Sequence, residues 1–92
     1  MTHTEIYFKS WCAYSRRALR LLDRKGANYT AIDVTDDVVR ELEMRERTGR
    51  TSVPQIFIGE RHIGGYDDIA ALDKTGELDL LLAGVEQAEQ AA

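Results

Sequence analysis

Phe8-Lys9-Ser10-Trp11-Cys12-Ala13-Tyr14-Ser15-Arg16-Arg17 joins the end of a short apolar strand signal to the start of an amphipathic helix. The only cysteine in the chain stands at that junction. At a strand-to-helix turn the helix's unpaired N–H groups and its positive dipole end converge. Such a setting favours thiolate over thiol, and thiolate is the reactive form. Lys9 adds a positive charge just upstream. Arg16 and Arg17 work against the macrodipole at the helix start, a conflict that an anion held nearby would offset. The competing description is an inert, buried cysteine ringed by solvated basic side chains. Reactive cysteines favour electropositive, partly exposed surroundings, and this stretch provides them.

Working outward, Thr4 to Phe8 reads as a strand, with Ile6 and Phe8 on one face and Glu5 and Tyr7 on the other. The helix that follows spans about Ala13 to Lys25. Its apolar Ala18, Leu19, Leu21 and Leu22 recur at helical spacing, while Arg16, Arg20 and Arg24 share the opposite face. Gly26 suits the left-handed cap at its end. Tyr29 to Val34 is a second strand. Strand, helix and strand at this spacing make a βαβ unit, which predicts parallel strands joined by a right-handed crossover.

Farther along, Thr35 is the expected N-cap of a second helix, with Asp36 and Asp37 in its first turn and Gly49 at its stop. Val38, Val39 and Leu42 are expected to form its inner face. Glu41/Arg45 and Glu43/Arg47 are expected ion pairs four residues apart. Gln55 to Ile58 reads as a third strand, Gly59-Glu60 as a two-residue turn, and Arg61 to Ile63 as a fourth strand. A short helix from Tyr66 to Leu72 and a last amphipathic helix carrying Leu78, Leu81 and Leu82 follow. The order β-α-β-α-β-β-α-α predicts an α/β fold: a four-stranded mixed sheet with helices on both faces.

The length of 92 residues fits a single domain, 1–92, with a core from about 4 to 82. The stretch 83–92 is rich in Ala, Glu and Gln and is expected to fray. No apolar run approaches the ~18 residues that a membrane-spanning helix needs, so no membrane partner is expected. A net charge of −4 argues against general nucleic-acid binding, which needs a basic footprint. A lone reactive thiol and the lack of a basic, apolar leader make the cytoplasm the expected location. His3 and His62 read as surface residues, and a separate metal site would need ligands that the chain lacks.

Two further segments can converge on Cys12. Ser52-Val53-Pro54 contains the only proline. With a cis bond before that proline, the backbone N–H and C=O of Val53 would face outward and pair with a short peptide laid along the edge. The plainer alternative is a proline that merely starts a strand. In Gly64-Gly65-Tyr66-Asp67-Asp68 the glycines permit close backbone approach and the helix start offers N–H groups to a carboxylate. Asp67 and Asp68 can receive an ammonium group or simply cap the helix. Taken together, a nucleophile, a peptide-like edge and a carboxylate-plus-amine end describe a pocket for a small thiol peptide.

Lys9-Ser10-Trp11-Cys12-Ala13-Tyr14, Ser52-Val53-Pro54-Gln55-Ile56-Phe57-Ile58 and Ile63-Gly64-Gly65-Tyr66-Asp67-Asp68 resemble the three signature segments of the glutaredoxins, in the same order. The similarity runs from about Glu5 to Leu82 and is closest to the small bacterial members. It implies a thioredoxin-like fold, a cis Pro54, and glutathione as co-substrate. By the same resemblance Cys12 would be the catalytic nucleophile and Val53 would pair with the tripeptide backbone, flanked by Ser52 and Pro54. Gly65, Tyr66, Asp67 and Asp68 would hold the γ-glutamyl end, with Lys9 and Tyr14 near the thiolate and the glycyl carboxylate. Trp11, Ser15 and Arg50 would give support.

Dithiol members carry Cys-Pro-Tyr-Cys, whereas this chain reads Cys12-Ala13-Tyr14-Ser15. A single thiol cannot resolve a mixed disulfide internally, so the expected activity is monothiol reduction of glutathionylated proteins and small disulfides by a monomer. The other expectation drawn from the family is glutathione-assisted carriage of a [2Fe–2S] cluster. That cluster needs four thiolates, so two Cys12 residues and two glutathiones would have to meet in a dimer.

Overall fold

The computed structural model describes residues 2–84 of the chain. Its elements are β1 (Thr4–Phe8), α1 (Ala13–Arg24), β2 (Tyr29–Asp33), α2 (Val38–Thr48), β3 (Gln55–Ile58), β4 (Arg61–Gly64), α3 (Tyr66–Thr75) and α4 (Glu77–Ala83). Neighbouring strands follow the order β2-β1-β3-β4. β1 runs parallel to β2 and antiparallel to β3, and β3 pairs antiparallel with β4. The expected mixed sheet and element order are therefore present, in the thioredoxin-like arrangement.

Period-two alternation divides the strand residues between two layers. Ile6, Ile56 and Ile58 face one side, where they pack with Ala18, Leu21 and Leu22 of α1, Ile69 of α3, and Leu78, Leu81 and Leu82 of α4. Tyr7, Ile32 and Phe57 face the other, against Val34, just past β2, and against Met44 of α2. Both faces of β1 and β3 are covered, so these central strands are buried throughout most of their length.

The second layer departs from expectation. Val38, Val39 and Leu42 point to solvent, being 69%, 75% and 49% exposed, and Met44 alone of the α2 residues is fully buried. The inward face of α2 is built from polar groups with long stems. The Arg47 guanidinium lies 3.9 Å from the centre of the Phe57 ring and donates to the Tyr7 hydroxyl at 2.9 Å. The Tyr7 hydroxyl in turn donates to the Glu43 carboxylate. Beside Met44, a cation over an aromatic face and a satisfied phenol close this layer where Val38, Val39 and Leu42 were expected.

The ion pairs follow the same geometry. Glu41 does reach Arg45, at 3.5 Å, but Arg47 pairs with Glu5 and Glu43 with Arg40, both at 3.0 Å. Asp37, and not Thr35, is the N-cap of α2, its carboxylate accepting from the Arg40 N–H. Thr35 instead accepts from the Ser10 N–H at 2.9 Å and tethers the loop that precedes Cys12. The expectation of a fraying tail falls mostly on residues 85–92, outside those described.

Candidate active site

Topology brings the three signature segments together. The loop 9–12 leaves the C-terminal end of β1, and antiparallel pairing of Tyr7 with Gln55 puts the start of β3 at that same end of the sheet. Antiparallel pairing of Ile56 with Gly64 then returns the end of β4 to it. Residues 9–15, 52–55 and 64–68 thus meet on one rim.

Cys12 is the N-cap residue of α1, with extended backbone at φ −83° and ψ 120°, and its thiol is free and half-buried. The Sγ lies 3.7 Å from the Val53 carbonyl oxygen. Burial pushes the thiol pKa up, but the stabilisation that the Ser15 N–H and hydroxyl and the Tyr14 N–H would give the thiolate, with the charge of Arg16, outweighs it. The thiol therefore sits below its ordinary value. Those N–H groups are ones the first turn of any helix leaves without an internal partner. Ser15 is fully buried, and its hydroxyl also accepts from the Lys9 N–H at 3.3 Å.

Next to the thiol lies a cleft of about 240 Å³ walled by Tyr14, Arg50, Ser52, Val53, Pro54, Gln55, Gly65, Tyr66, Asp67 and Asp68. The Val53–Pro54 bond is cis. Tyr14 and Tyr66 face each other with ring centres 6.3 Å apart. The Asp68 carboxylate accepts from the Gly65 N–H at 2.9 Å and lies 3.7 Å from the Arg50 guanidinium. Gly64 is held at φ +118°, where a Cβ would sit 2.3 Å from Asp68 Oδ2, so only glycine lets the strand turn this tightly beneath the carboxylate. A broader depression of about 550 Å³ lies beside Asp33, Thr35, Asp36, Asp37, Val38 and Val39, away from the thiol.

Most of the residues singled out in the sequence line this cleft, Cys12 and the buried Ser15 sit beside it, and Lys9 and Trp11 stand apart from it. The Lys9 ammonium is paired with Glu41 at 3.2 Å and lies 5.7 Å from the Trp11 ring. Arg16, rather than Lys9, is the cation that bears on the thiol. Trp11 is 66% exposed and does not line the cleft. Gln55 is the lining residue that sequence reasoning missed. A carboxamide at the head of an otherwise apolar, fully buried strand is the signal that could have found it.

A family model described as Glutaredoxin matches residues 4–63. The chain belongs to the glutaredoxin family. It is 48% identical over 82 residues to Glutaredoxin 3 of Escherichia coli (strain K12), covering 89% of this chain and 99% of that one. It is 45% identical over 78 residues to the glutaredoxin of Pseudomonas aeruginosa, covering 85% and 93% of the two chains. Among solved structures, glutaredoxin from Brucella melitensis superposes with a TM-score of 0.78 at 47% identity, covering 91% of this chain and 92% of that one. The buckwheat glutaredoxin–glutathione complex superposes with a TM-score of 0.82 at 28% identity, covering 92% and 80%. Membership in this family implies a glutathione-dependent thiol oxidoreductase.

Proposed function

We propose that this glutaredoxin reduces glutathione mixed disulfides by a monothiol cycle in which Cys12 is the nucleophile. The observation that carries the reading is the thiol at the N-cap of α1, 3.7 Å from the Val53 carbonyl, at the edge of a cleft sized for a small peptide. The likeness to a structure holding glutathione supports the same ligand here.

In the first step the Cys12 thiolate attacks the glutathione sulfur of a glutathionylated protein or small disulfide. A Cys12–glutathione disulfide forms, the original S–S bond breaks, and the departing thiolate takes a proton from solvent. In the second step another glutathione thiolate attacks the glutathione sulfur on Cys12, giving oxidised glutathione and regenerating the Cys12 thiolate. The sequence is ping-pong, as covalent catalysis requires. A depressed thiol pKa raises the thiolate fraction in the first step and makes Cys12 the better leaving group in the second.

The Val53 backbone, beside the thiol, would pair with the tripeptide, and the Gly65–Asp68 corner would take its γ-glutamyl end. Tyr14 would flank the thiolate and the glycyl carboxylate, and Arg50, 3.7 Å from Asp68, would assist. Lys9 would join them only by leaving Glu41. With Ser15 in place of a second cysteine, the mixed disulfide awaits glutathione. A reducing compartment such as the cytoplasm would supply it.

The test is the mass of the protein after exposure to oxidised glutathione. A single glutathione adduct, removed by excess reduced glutathione and absent from Cys12→Ser, is the expected result. Absence of an adduct, or turnover retained by Cys12→Ser, overturns the proposal.

The second reading, a [2Fe–2S] cluster shared by two chains, is favoured by the half-buried thiol followed directly by exposed Ala13 instead of a proline. Among the described residues no group of three or more His, Cys, Asp or Glu could hold a metal ion. One chain therefore offers one of the four thiolates that such a cluster needs. Visible absorbance and dimerisation after anaerobic reconstitution with iron, sulfide and glutathione would establish it; a colourless monomer would exclude it.

A further inference from the structure

His62 was expected at the surface, yet it is half-buried on β4 and its ring packs on Phe57 with centroids 5.0 Å apart. Its Nε2 lies 2.7 Å from Oε1 of Gln55. The Gln55 side chain is 1% exposed, and its Nε2 donates to the Ser52 carbonyl at 3.1 Å, with the Ser52 hydroxyl at 3.3 Å. A carbonyl can only accept, so the amide nitrogen must face Ser52 and the amide oxygen must face the imidazole. His62 Nε2 therefore carries a hydrogen. The imidazole fixes one end of the amide, and the amide fixes the loop.

We propose that His62 is a positioning residue for the active site: by donating to Gln55 it locks the amide that holds the Ser52 carbonyl, and so sets the Val53 backbone beside Cys12. The chain of contacts runs from His62 to Gln55 to Ser52, and the next residue, Val53, places its carbonyl 3.7 Å from Sγ. Without the imidazole donor, the buried amide oxygen has no partner and the amide can rotate away from Ser52. A hydrogen-bonded relay of this kind narrows the positions open to a first-contact group, which is what orienting a peptide for in-line sulfur attack demands.

The relay is insensitive to the charge of His62. Burial first, and then the charges of Arg50 and Arg47 against the opposing pull of Asp68, hold the imidazole below its usual pKa. Nε2–H is present in both the neutral tautomer named above and the cation. The Gln55 contact therefore persists on either side of the titration.

This inference rests on the glutathione reading, and the two fail in different ways. The experiment compares wild type, His62→Phe and His62→Gln with a glutathionylated cysteine peptide as substrate. Phe keeps the ring on Phe57 and deletes the donor; Gln restores an N–H donor. The expected result is a KM raised about fivefold to tenfold in His62→Phe, the effect of one lost neutral hydrogen bond. The pH midpoint of Cys12 thiolate absorbance should stay at the wild-type value, and His62→Gln should recover most of the KM. An unchanged KM in His62→Phe, or a loss of activity that tracks a shifted thiol midpoint, overturns the positioning role while leaving the glutathione reading intact. Wild type that fails to turn over this substrate overturns both. Nitrogen-15 NMR of the wild-type histidines provides a check that needs no variant. A slowly exchanging Nε2–H on His62 at neutral pH is expected, and an Nδ1–H tautomer refutes the relay.

Discussion

Helices α1 and α2, on opposite faces of the sheet, begin in opposite ways. α2 starts on Asp37, whose carboxylate caps the Arg40 N–H; it carries Glu41 in its first turn and Arg45 and Arg47 in its last, and it stops at a left-handed Gly49. Each choice complements the backbone groups and dipole of a helix. α1 starts on Cys12, has no side-chain cap and no acid in its first turn, and bears Arg16 and Arg17 where positive charge is least welcome. The groups that α2 satisfies with carboxylates, α1 keeps for a sulfur. The difference teaches that a helix start can serve either stability or reactivity, and that the reactive one is recognisable by what it lacks.

Cys12→Ser tests the contrast most severely, because serine is among the preferred N-cap residues. Turnover should disappear, since a hydroxyl is not ionised near neutral pH. Stability should rise at the same time by about 0.5–1 kcal/mol as α1 gains a cap, lifting Tm by about 3–6 °C. Calorimetry beside a steady-state assay reads both effects, and a Tm that falls would mean that the thiol already satisfies the helix end as well as an oxygen does. Asp37→Ala is the reverse experiment. Removing the α2 cap should cost about 1 kcal/mol, seen as a lower denaturation midpoint with an unchanged denaturant slope. Turnover below the transition should stay as in wild type, because Asp37 lines none of the cleft beside Cys12.

The order of elements and the convergence of three segments on Cys12 were legible because they depend on period, turn residues and motif spacing. What was not legible depends on contacts between distant elements. Val38, Val39 and Leu42 mimic an inner face by periodicity, but Arg47 over Phe57 and Glu43 on Tyr7 take that role. Apolar periodicity cannot register a guanidinium lying on a ring. Lys9 reads as a cation for the thiolate until Glu41, on another element, occupies it. Gln55 reads as one more strand residue until its amide is seen between Ser52 and His62.

Ser15→Ala probes how α1 lowers the thiol pKa. The Ser15 N–H remains and the hydroxyl bond is lost, so the midpoint of thiolate absorbance should move to higher pH. The fold lowers this pKa, so the thiolate stabilises the native state fully above the unfolded-state pKa, and that contribution is lost as pH falls through the native value. Ser15→Ala narrows the window between the two. Second-order alkylation of Cys12 near neutral pH should fall only about threefold, because a thiolate of higher pKa is intrinsically more nucleophilic.

Arg16→Gln should produce the smallest change, and its salt dependence carries the information. Arg16 is exposed and acts on Cys12 through charge, while its guanidinium also donates to the Ser10 carbonyl at 3.2 Å. Removing the charge should move the thiolate midpoint upward by less than Ser15→Ala does. The difference from wild type should shrink as ionic strength rises, since the screening length falls from ~30 Å at 0.01 M to ~3 Å at 1 M. The Ser15 effect, made by a local hydroxyl on a fully buried residue, should persist at high salt. If both effects decline together, the thiol is governed by the long-range field of the basic residues rather than by groups fixed in the first turn of α1. The contrast between the two helices would then lie in surface charge and not in how each one begins.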